Sequence, residues 1–297
     1  MFAIPCMPFK DNLEIDFDGL KNIIEFIKIS GSRGIVMPVN ASEFSLLTEH
    51  ERKLCVESAA RAVGNSMPFV EGVSGIHSKT AVMLAKHAES AGADAVMAMP
   101  PYLLKANEGE IFDYYQEISD AVNLPIFIQN YIQPVGTPLS AEFMMHLAKN
   151  IEHVKFIKEE TQFSGHVISR IVEMEKTLPA GAFFGVMGGK AGRYIIDEFR
   201  RGASGNMPAC EICDIQSKIW ELLENGAERE AAEIYNQILP LLNMEAVYGS
   251  AMYKRVLLFR GVIKNAHVRT FGNRDFDSFD EIEFSRIMND IKPLMSI

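Results

Sequence analysis

The sequence predicts an α/β fold, a (β/α)8 barrel of the TIM type followed by a helical extension. Short apolar runs alternate with longer amphipathic segments along most of the 297 residues, as strands and helices in turn would do. About eight such units are present, and the strands are nearly continuously apolar, as a parallel sheet buried on both faces requires. We therefore predict a barrel over residues 1–208 and a C-terminal helical extension over residues 209–297, packed on the barrel.

The predicted strands follow a repeated arrangement, in which a glycine ends a helix and an apolar run begins shortly after it. Gly31 and Gly92, for example, precede the runs that begin at Ile35 and Ala95. Glycine can adopt the left-handed conformation that closes a helix, so these positions mark the loops that lead from helices into strands. The eight strands are predicted at residues 3–6, 34–38, 68–71, 95–99, 125–129, 154–158, 182–185 and 205–207.

The predicted helices carry apolar residues at spacings of three and four. In the first helix the apolar stripe is Leu20, Ile23, Ile24 and Ile27, and the residues that face away are Lys21, Glu25 and Lys28. No G-x-G-x-x-G motif follows the first strand, which disfavours an open sheet that binds a dinucleotide. Later helices are predicted at about residues 189–201, 211–224, 228–245, 251–264 and 279–291.

The composition argues against several classes of function. The chain is 48% hydrophobic with a formal net charge of -10, and no stripe of Lys and Arg is present to neutralise nucleic-acid phosphates. No apolar stretch reaches the roughly 18 residues of a membrane span, and the N-terminus lacks the pattern of a secretory signal. We expect a cytoplasmic protein that acts on a small molecule, with neither a nucleic acid nor a membrane as partner.

The cysteines and histidines do not predict a metal site. Cys210 and Cys213 form a C-x-x-C, but neither a second cysteine pair nor well-spaced histidines lie nearby. The seven histidines of the chain show no spacing typical of metal ligands. We expect four reduced thiols and no bound metal ion.

A lysine ends the sixth predicted strand, where barrel enzymes carry their reactive groups. Lys158 follows two apolar residues, and partial desolvation there would favour the neutral amine, which can attack a carbonyl carbon. Lys155 points to the opposite side of the strand. Glu159 and Glu160 are adjacent and also point to opposite faces, so they do not predict the paired carboxylates of a glycosidase. Lys158 is therefore the candidate nucleophile.

Three segments resemble the dihydrodipicolinate synthase/N-acetylneuraminate lyase family. They are residues 42–52, which read SEFSLLTEHER, residues 124–130, which read LPIFIQN, and residues 156–160, which read FIKEE. The resemblance in motif order and spacing extends from Phe2 to about Met207. It implies that the lysine of the third segment holds pyruvate or a related 2-keto acid as a Schiff base and that no cofactor is needed.

The resemblance also has implications for assembly. Proteins of this family are commonly dimers or dimers of dimers, and their subunits meet just after the fourth strand. Tyr102 to Lys105 occupy that place in this sequence. We therefore expect a homo-oligomer, a tetramer.

Two site positions depart from the family pattern. The family's loop after strand two usually reads G-T-T-G-E or G-S-T-G-E and binds the carboxylate of the keto acid. Asn40, Ala41 and Ser42 stand in that loop, where only Ser42 supplies a hydroxyl but amide groups can still bind a carboxylate. The family's strand-five tyrosine, a proton shuttle, falls on Gln129, which does not exchange protons near neutral pH. Tyr131, two residues on, would face the same way if the strand continued, and is the expected substitute.

Three further departures argue against two of the family's reactions. Leu103 stands where dihydrodipicolinate synthases carry an aromatic relay, and Pro134 stands where they carry a substrate-binding arginine. Met187 stands where sialic acid lyases bind hydroxyls through an acidic residue. Gly185, Met187 and Gly188 remain candidates for substrate binding, and a phosphate is the alternative ligand for this glycine-rich segment.

What remains resembles the branch of the family that includes 2-keto-3-deoxyarabonate dehydratases. We expect a lyase in which an imine on Lys158 acidifies the neighbouring C–H, so that the enamine expels a hydroxyl or exchanges a carbon bond with an aldehyde. Dehydration and aldol cleavage share every step up to the enamine, and the sequence favours dehydration only slightly. The alternatives are condensation of pyruvate with aspartate semialdehyde, a keto-acid-binding barrel without turnover, and a metal-dependent barrel.

Overall fold

A computed structural model describes residues 1–131, 137–272 and 275–296 of the chain. Its helices are α1 Phe17–Ile29, α2 Glu49–Val63, α3 Ser78–Ala91, α4 Glu108–Ala121, α5 Ala141–Asn150, α6 Ser164–Glu175, α7 Ile195–Arg200, α8 Cys213–Glu224, α9 Glu228–Tyr248, α10 Ser250–Phe259 and α11 Ser278–Ile291. Short 3-10 turns cover Asn40–Ser42, Phe44–Leu46, Lys190–Gly192 and Lys292–Leu294.

The strands lie in one sheet whose order follows the chain. They are β1 Ile35–Met37, β2 Phe69–Gly72, β3 Ala95–Ala98, β4 Ile126–Tyr131, β5 Val154–Glu160, β6 Gly185–Gly188 and β7 Gly205–Asn206. The neighbouring pairs from β2 to β7 are parallel, and a helix follows each strand. This architecture confirms the predicted fold class, a (β/α)8 barrel with helices at the C-terminal end of the chain.

The strand predicted at residues 3–6 is shorter than expected. Ala3 makes a parallel bridge to Ile35, and Ile4 makes one to Ala209, so the segment supplies the eighth element of the barrel as two isolated bridges. Pro5 has no N–H to donate to a ladder, which limits the regular pairing. The prediction was right in place and wrong in length.

The strand predicted at residues 182–185 was misplaced by three residues, since the observed strand begins at Gly185. The observed strand is β6, and residues 182–184 precede it. Gly185 and Gly188 weaken the strand signal in the sequence because glycine has a low strand propensity. The helix predicted at about residues 189–201 is confined to α7, because Lys190 and Ala191 have φ angles of 49° and 56° and break the helical path before it.

Other boundaries shifted by smaller amounts. The predicted strand over residues 125–129 continues to Tyr131, and the one over residues 154–158 continues to Glu160. The helix predicted at residues 251–264 ends at Phe259, where Gly261 takes the left-handed conformation. The stripe of the first helix is buried as predicted.

The chain divides into two compact units. The first comprises Met1–Met67, Ala191–Arg193 and Pro208–Ile297, and the second comprises Pro68–Lys190 and Tyr194–Met207. This division differs from the predicted boundary at residue 208, which stays a prediction.

A buried ion pair between Lys254 and Glu43 links the C-terminal part of the first unit to its N-terminal part. Lys254 of α10 donates to Glu43 at 2.5 Å, and both side chains are fully buried. The second oxygen of Glu43 accepts bonds from the backbone nitrogens of Arg269 and Thr270, each at 2.9 Å. The loop after β1 is therefore held by residues more than 200 positions further along the chain.

Candidate active site

The candidate nucleophile lies in the second unit, near the carboxyl end of β5. Lys158 is in register with Gln129 of β4 on one side and with Met187 of β6 on the other. Met187 is in turn in register with Gly205 of β7. Because register partners on neighbouring strands point to the same face, these four residues form one row across four strands. Lys158 is 2% exposed, so its amine is largely withdrawn from water.

A carboxylate lies beside the amine. Oε2 of Glu160 is 3.1 Å from Nζ of Lys158. The same oxygen accepts a bond of 2.9 Å from Nε2 of Gln129, and the other oxygen accepts one of 3.0 Å from the backbone nitrogen of Lys190. Glu160 is itself 5% exposed. The amine and the carboxylate are therefore held in contact with their hydrogen-bonding partners in place.

Tyr131 falls on the same face as these groups. The strand continues past Gln129, and Tyr131 is in register with Glu160. This geometry agrees with the condition on which its predicted role depends, namely that the strand continues. Its service as proton shuttle remains a prediction. Pro134, which stands where the family carries an arginine, lies outside the described residues.

The opposite face of β5 carries a second carboxyl group. Glu159 accepts bonds from Nδ2 of Asn130 at 2.7 Å and from the backbone nitrogen of Thr161 at 2.7 Å. Burial raises the pKa of Glu159, although the bonds from Thr161 and Asn130 oppose that effect. Lys155 is partly exposed and donates to the carbonyl of Gly181 at 3.2 Å. The alternation expected from the sequence thus separates Lys158 and Glu160 from Glu159 and Lys155.

A further buried carboxyl group lies against the back of β6. Glu198 of α7 accepts bonds from Oγ of Ser164 at 3.3 Å and from Nδ2 of Asn206 at 2.6 Å. Burial raises the pKa of Glu198 to about 8, and the charges of Glu160 and Glu159 add to the rise. A side chain at Gly188 would collide with this carboxyl group. The glycine therefore lets a neutral carboxylic acid pack directly on the strand.

The glycine-rich segment belongs to the strand and not to a loop after it. Gly185, Met187 and Gly188 all lie within β6, which corrects the predicted placement. Met187 points to the face of Lys158, and its methyl group lies where a side chain on Gly205 would be. Gly185 and Gly188 have no side chain to offer, so their predicted role in substrate binding is limited to the backbone. That role remains a prediction.

The residues predicted to bind the carboxylate lie in the first unit. Asn40, Ala41 and Ser42 form the 3-10 turn after β1. The hydroxyl of Ser42 donates to the carbonyl of Pro5 at 2.6 Å and is fully buried. Nδ2 of Asn40 is buried and has no hydrogen-bond partner in the described ranges. An unused amide donor is what carboxylate binding requires, and the assignment stays a prediction.

Two negative observations apply to the part of the chain that the structure describes. No group of three or more His, Cys, Asp or Glu side chains is arranged to hold a metal ion. No helix there is long and apolar enough to cross a bilayer. The four cysteines are free and buried.

Sequence reasoning missed Glu160 and Glu198. The signal for Glu160 was present, since a residue two positions after Lys158 in a strand must share its face. For Glu198 the sequence offers only an acidic residue in a short helix, which is ordinarily exposed. Its burial follows from the packing of α7 on β6 and could not be read from the pattern.

A buried lysine in contact with a buried carboxylate, near the carboxyl end of a strand, lies where (β/α)8-barrel enzymes carry their reactive groups. The sequence profile described as the dihydrodipicolinate synthetase family matches residues 1–271. The chain belongs to that family, which confirms the resemblance drawn from its motifs.

Individual members of the family and one solved structure are similar to this chain over most or about half of its length. The chain is 28% identical over 264 residues to L-2-keto-3-deoxyarabonate dehydratase of Azospirillum brasilense, which covers 88% of this chain and 84% of the relative. It is 29% identical over 170 residues to a probable 2-dehydro-3-deoxy-D-pentonate aldolase of Escherichia coli (strain K12), covering 57% of this chain and 56% of the relative. The structure of dihydrodipicolinate synthase from Rhodopseudomonas palustris superposes with a TM-score of 0.89 at 22% identity, covering 97% of this chain and 96% of the other. At that identity the superposition supports the fold alone.

Proposed function

We propose that this protein forms a protonated imine between Lys158 and a 2-keto acid and dehydrates a 2-keto-3-deoxy sugar acid. The observation that carries the proposal is the contact of 3.1 Å between Nζ of Lys158 and Oε2 of Glu160. It supports a mechanism in which one carboxylate handles the protons that the family's tyrosine handles elsewhere.

The first step is attack on the ketone. Only the neutral amine of Lys158 is a nucleophile, and Glu160 is within hydrogen-bonding distance to take a proton from its ammonium form. The amine adds to C2 of the keto acid, and the resulting carbinolamine loses its oxygen as water. Glu160 returns the proton that this loss requires. The product is an imine that keeps the substrate attached to β5.

The second step removes a proton from C3. C3 lies two bonds from the imine nitrogen, so a carboxylate in contact with that nitrogen is within reach of it. The electrons of the C3–H bond move into the imine to give an enamine, and Glu160 becomes protonated. The enamine then expels the C4 hydroxyl, which leaves as water with the proton from Glu160. A proton then moves from C5 to C3, and the resulting C5 enol becomes an aldehyde by moving its O–H proton to C4. Hydrolysis of the imine releases the semialdehyde and restores the amine.

Tyr131 retains its predicted place in this scheme. Its register opposite Glu160 is compatible with a hydrogen bond that orients the departing hydroxyl, which takes its proton from Glu160. Gln129 cannot carry a proton, and its contact with Glu160 indicates another role.

The choice of substrate rests on the relatives. The alignment with the dehydratase of Azospirillum brasilense covers most of both chains. The name of that relative specifies a 2-keto-3-deoxy acid. The aldolase relative favours retro-aldol cleavage of a similar acid as the second candidate, because that reaction diverges only at the enamine. The location of the protein in the cytoplasm remains a prediction.

The test is a panel of substrates. Purified protein is incubated with 2-keto-3-deoxy pentonates, and semialdehyde formation and pyruvate release are followed separately. Semialdehyde without pyruvate supports dehydration, and pyruvate release supports aldol cleavage. Efficient condensation of pyruvate with aspartate semialdehyde, with no sugar acid consumed, would overturn the proposal.

We also propose a homo-oligomer in which the loop after β3 contributes to the interface. Leu103 and Leu104 are 69% and 79% exposed, and Ile76 is half-exposed beside them. Together with Pro101 they border a groove of about 570 Å³ in the second unit. Exposed leucines beside a groove are typical of a surface that a partner covers. A second copy of the chain is the partner that the sequence predicts.

A further inference from the structure

Gln129 occupies the position of the family's proton shuttle without being able to shuttle protons. Its side chain points to the same face as Lys158, in the same row of the sheet. It is 1% exposed, so its two polar atoms must find partners inside the site. Its amide nitrogen has a hydrogen-bond partner among the described residues and its amide oxygen has none.

The amide nitrogen holds the catalytic carboxylate. Nε2 of Gln129 donates to Oε2 of Glu160 at 2.9 Å, which is the oxygen that meets the amine of Lys158. A carboxylate only accepts hydrogen bonds, which fixes the orientation of the amide. Because Lys190 holds the other oxygen, rotation of the Glu160 carboxylate would break two bonds. An amide performs this task without competing for the proton that Glu160 transfers.

The amide oxygen of Gln129 has no hydrogen-bond donor among the described residues. Oε1 of Gln129 is buried and accepts no hydrogen bond from any protein group in residues 1–131, 137–272 and 275–296. A buried acceptor without a donor costs about 1–3 kcal/mol. Since no described protein group supplies the donor, we infer that it comes from solvent in the free enzyme and from the substrate when solvent is displaced.

The chemistry of the substrate determines which of its groups can donate a hydrogen bond to Oε1 of Gln129. The carboxylate and the ketone oxygen of a keto acid are acceptors, and neither can satisfy Oε1. The hydroxyls of a sugar acid can donate. A keto acid without hydroxyls therefore leaves the acceptor unfilled, whereas a hydroxylated one fills it.

We propose that Gln129 is a positioning residue for Glu160 and a specificity-determining residue for a substrate hydroxyl. This inference rests on the proposed function, since it requires the substrate to be bound through Lys158. It adds that the site selects hydroxylated 2-keto acids over unsubstituted ones through one amide.

The experiment is a competition on the lysine. Wild-type protein receives equal amounts of 2-keto-3-deoxy-L-arabonate and 2-oxopentanoate, which has the same carbon chain without the hydroxyls. Cyanoborohydride traps the imines during the first turnover, and mass spectrometry counts the adducts, including those that have already lost water. Gln129→Met removes both polar atoms at similar volume, and Gln237→Met, on the exposed face of α9, is the matched control.

The expected result is a loss of preference. Wild type and Gln237→Met should favour the hydroxylated adduct, and Gln129→Met should reduce the ratio by about 10- to 100-fold. The rate of imine formation should also fall, because Glu160 loses its orienting bond, while pyruvate still labels Lys158 at long times. An unchanged ratio and rate in Gln129→Met would overturn the inference.

A second variant covers the case in which Gln129→Met does not fold. Gln129→Leu also removes both polar atoms, so it should lose both the preference for the hydroxylated acid and the rate of imine formation. A retained preference together with a wild-type rate would contradict both assigned roles. Failure of pyruvate to label Lys158 in the wild type refutes the proposed function instead, and does so without any Gln129 variant.

Discussion

Nζ of Lys158 lies 3.1 Å from Oε2 of Glu160, two residues further along the same strand. Both side chains are buried, so the pair cannot be screened by water as a surface ion pair would be. In the proposed reaction, Glu160 takes a proton from the amine and returns it during imine formation.

Conversion of Glu160 to glutamine should slow imine formation. Glutamine keeps the size of the side chain but cannot take up a proton, and loss of one general acid–base group typically costs about 10²- to 10⁴-fold in rate. The rate of borohydride-trappable adduct formation with pyruvate measures the effect. Glu152→Gln, at an exposed position just before β5, is the control and should keep the wild-type rate. A wild-type rate in Glu160→Gln would exclude Glu160 from proton transfer.

The covalent adduct should form on Lys158. Incubation with pyruvate and borohydride is expected to add one group per chain, located by peptide mass spectrometry. Lys158→Arg should abolish the adduct, because the guanidinium stays protonated and is not a nucleophile. Lys155→Arg should leave it unchanged, since Lys155 lies on the other side of β5 and donates to Gly181. An adduct on Lys155 or Lys190 would show that the wrong lysine has been assigned.

Glu198 should make the protein less stable as the pH rises. Its pKa is raised to about 8 from an ordinary value of 4.5, so between these values the folded chain holds a proton that the unfolded chain has released. The free energy of unfolding therefore falls through this range, by roughly 1.4 kcal/mol per pH unit for one group. We expect the difference in urea stability between wild type and Glu198→Gln to follow that slope from pH 5 to 8 and to level off above. A difference that is independent of pH would mean that Glu198 is ionised in the folded protein.

Leu104→Asp should weaken self-association. The side chain is 79% exposed in the single chain, so the charge should not disturb folding but should oppose burial in an interface. Light scattering at micromolar concentration is expected to give a multiple of 33.2 kDa for the wild type and a smaller mass for the variant. Val247→Asp, at a comparably exposed position on α9, serves as control. A monomeric wild type would contradict the predicted assembly.

Replacement of Lys254 alone should lower the free energy of unfolding more than replacement of both Lys254 and Glu43. Lys254→Met leaves the buried carboxylate of Glu43 without its cation, for which about 3–5 kcal/mol is typical. Addition of Glu43→Gln to this variant should recover part of the loss, as urea denaturation would measure. Arg229→Met breaks an exposed ion pair with Glu233 and should change stability by less than about 1 kcal/mol. Equal losses in the single and double variants would refute the coupling.

The sequence was sufficient for the fold class and for placing Lys158 near the end of a buried strand, because both depend on local patterns. Lys158 was identified by its apolar flank and its strand end, and the alternation of a strand correctly separated it from Lys155. The alternation that excludes Glu159 and Glu160 as a catalytic pair also predicts that Glu160 shares a face with Lys158. Gly185 and Gly188 at the two ends of β6 weaken its strand pattern in the sequence. They let Ser204 and Glu198 approach the backbone closely. Such close approaches depend on partners that are distant in sequence.

The ion pair between Glu43 and Lys254 also has a consequence for biosynthesis. The ribosome makes the carboxylate first, and its cation follows 211 residues later. Until then the loop after β1 has a charge that it cannot bury at an acceptable cost. We expect the loop to stay open during translation and to acquire its final form only when α10 and the segment around Thr270 have emerged. The first loop of the barrel is thus among the last parts of the chain to be completed.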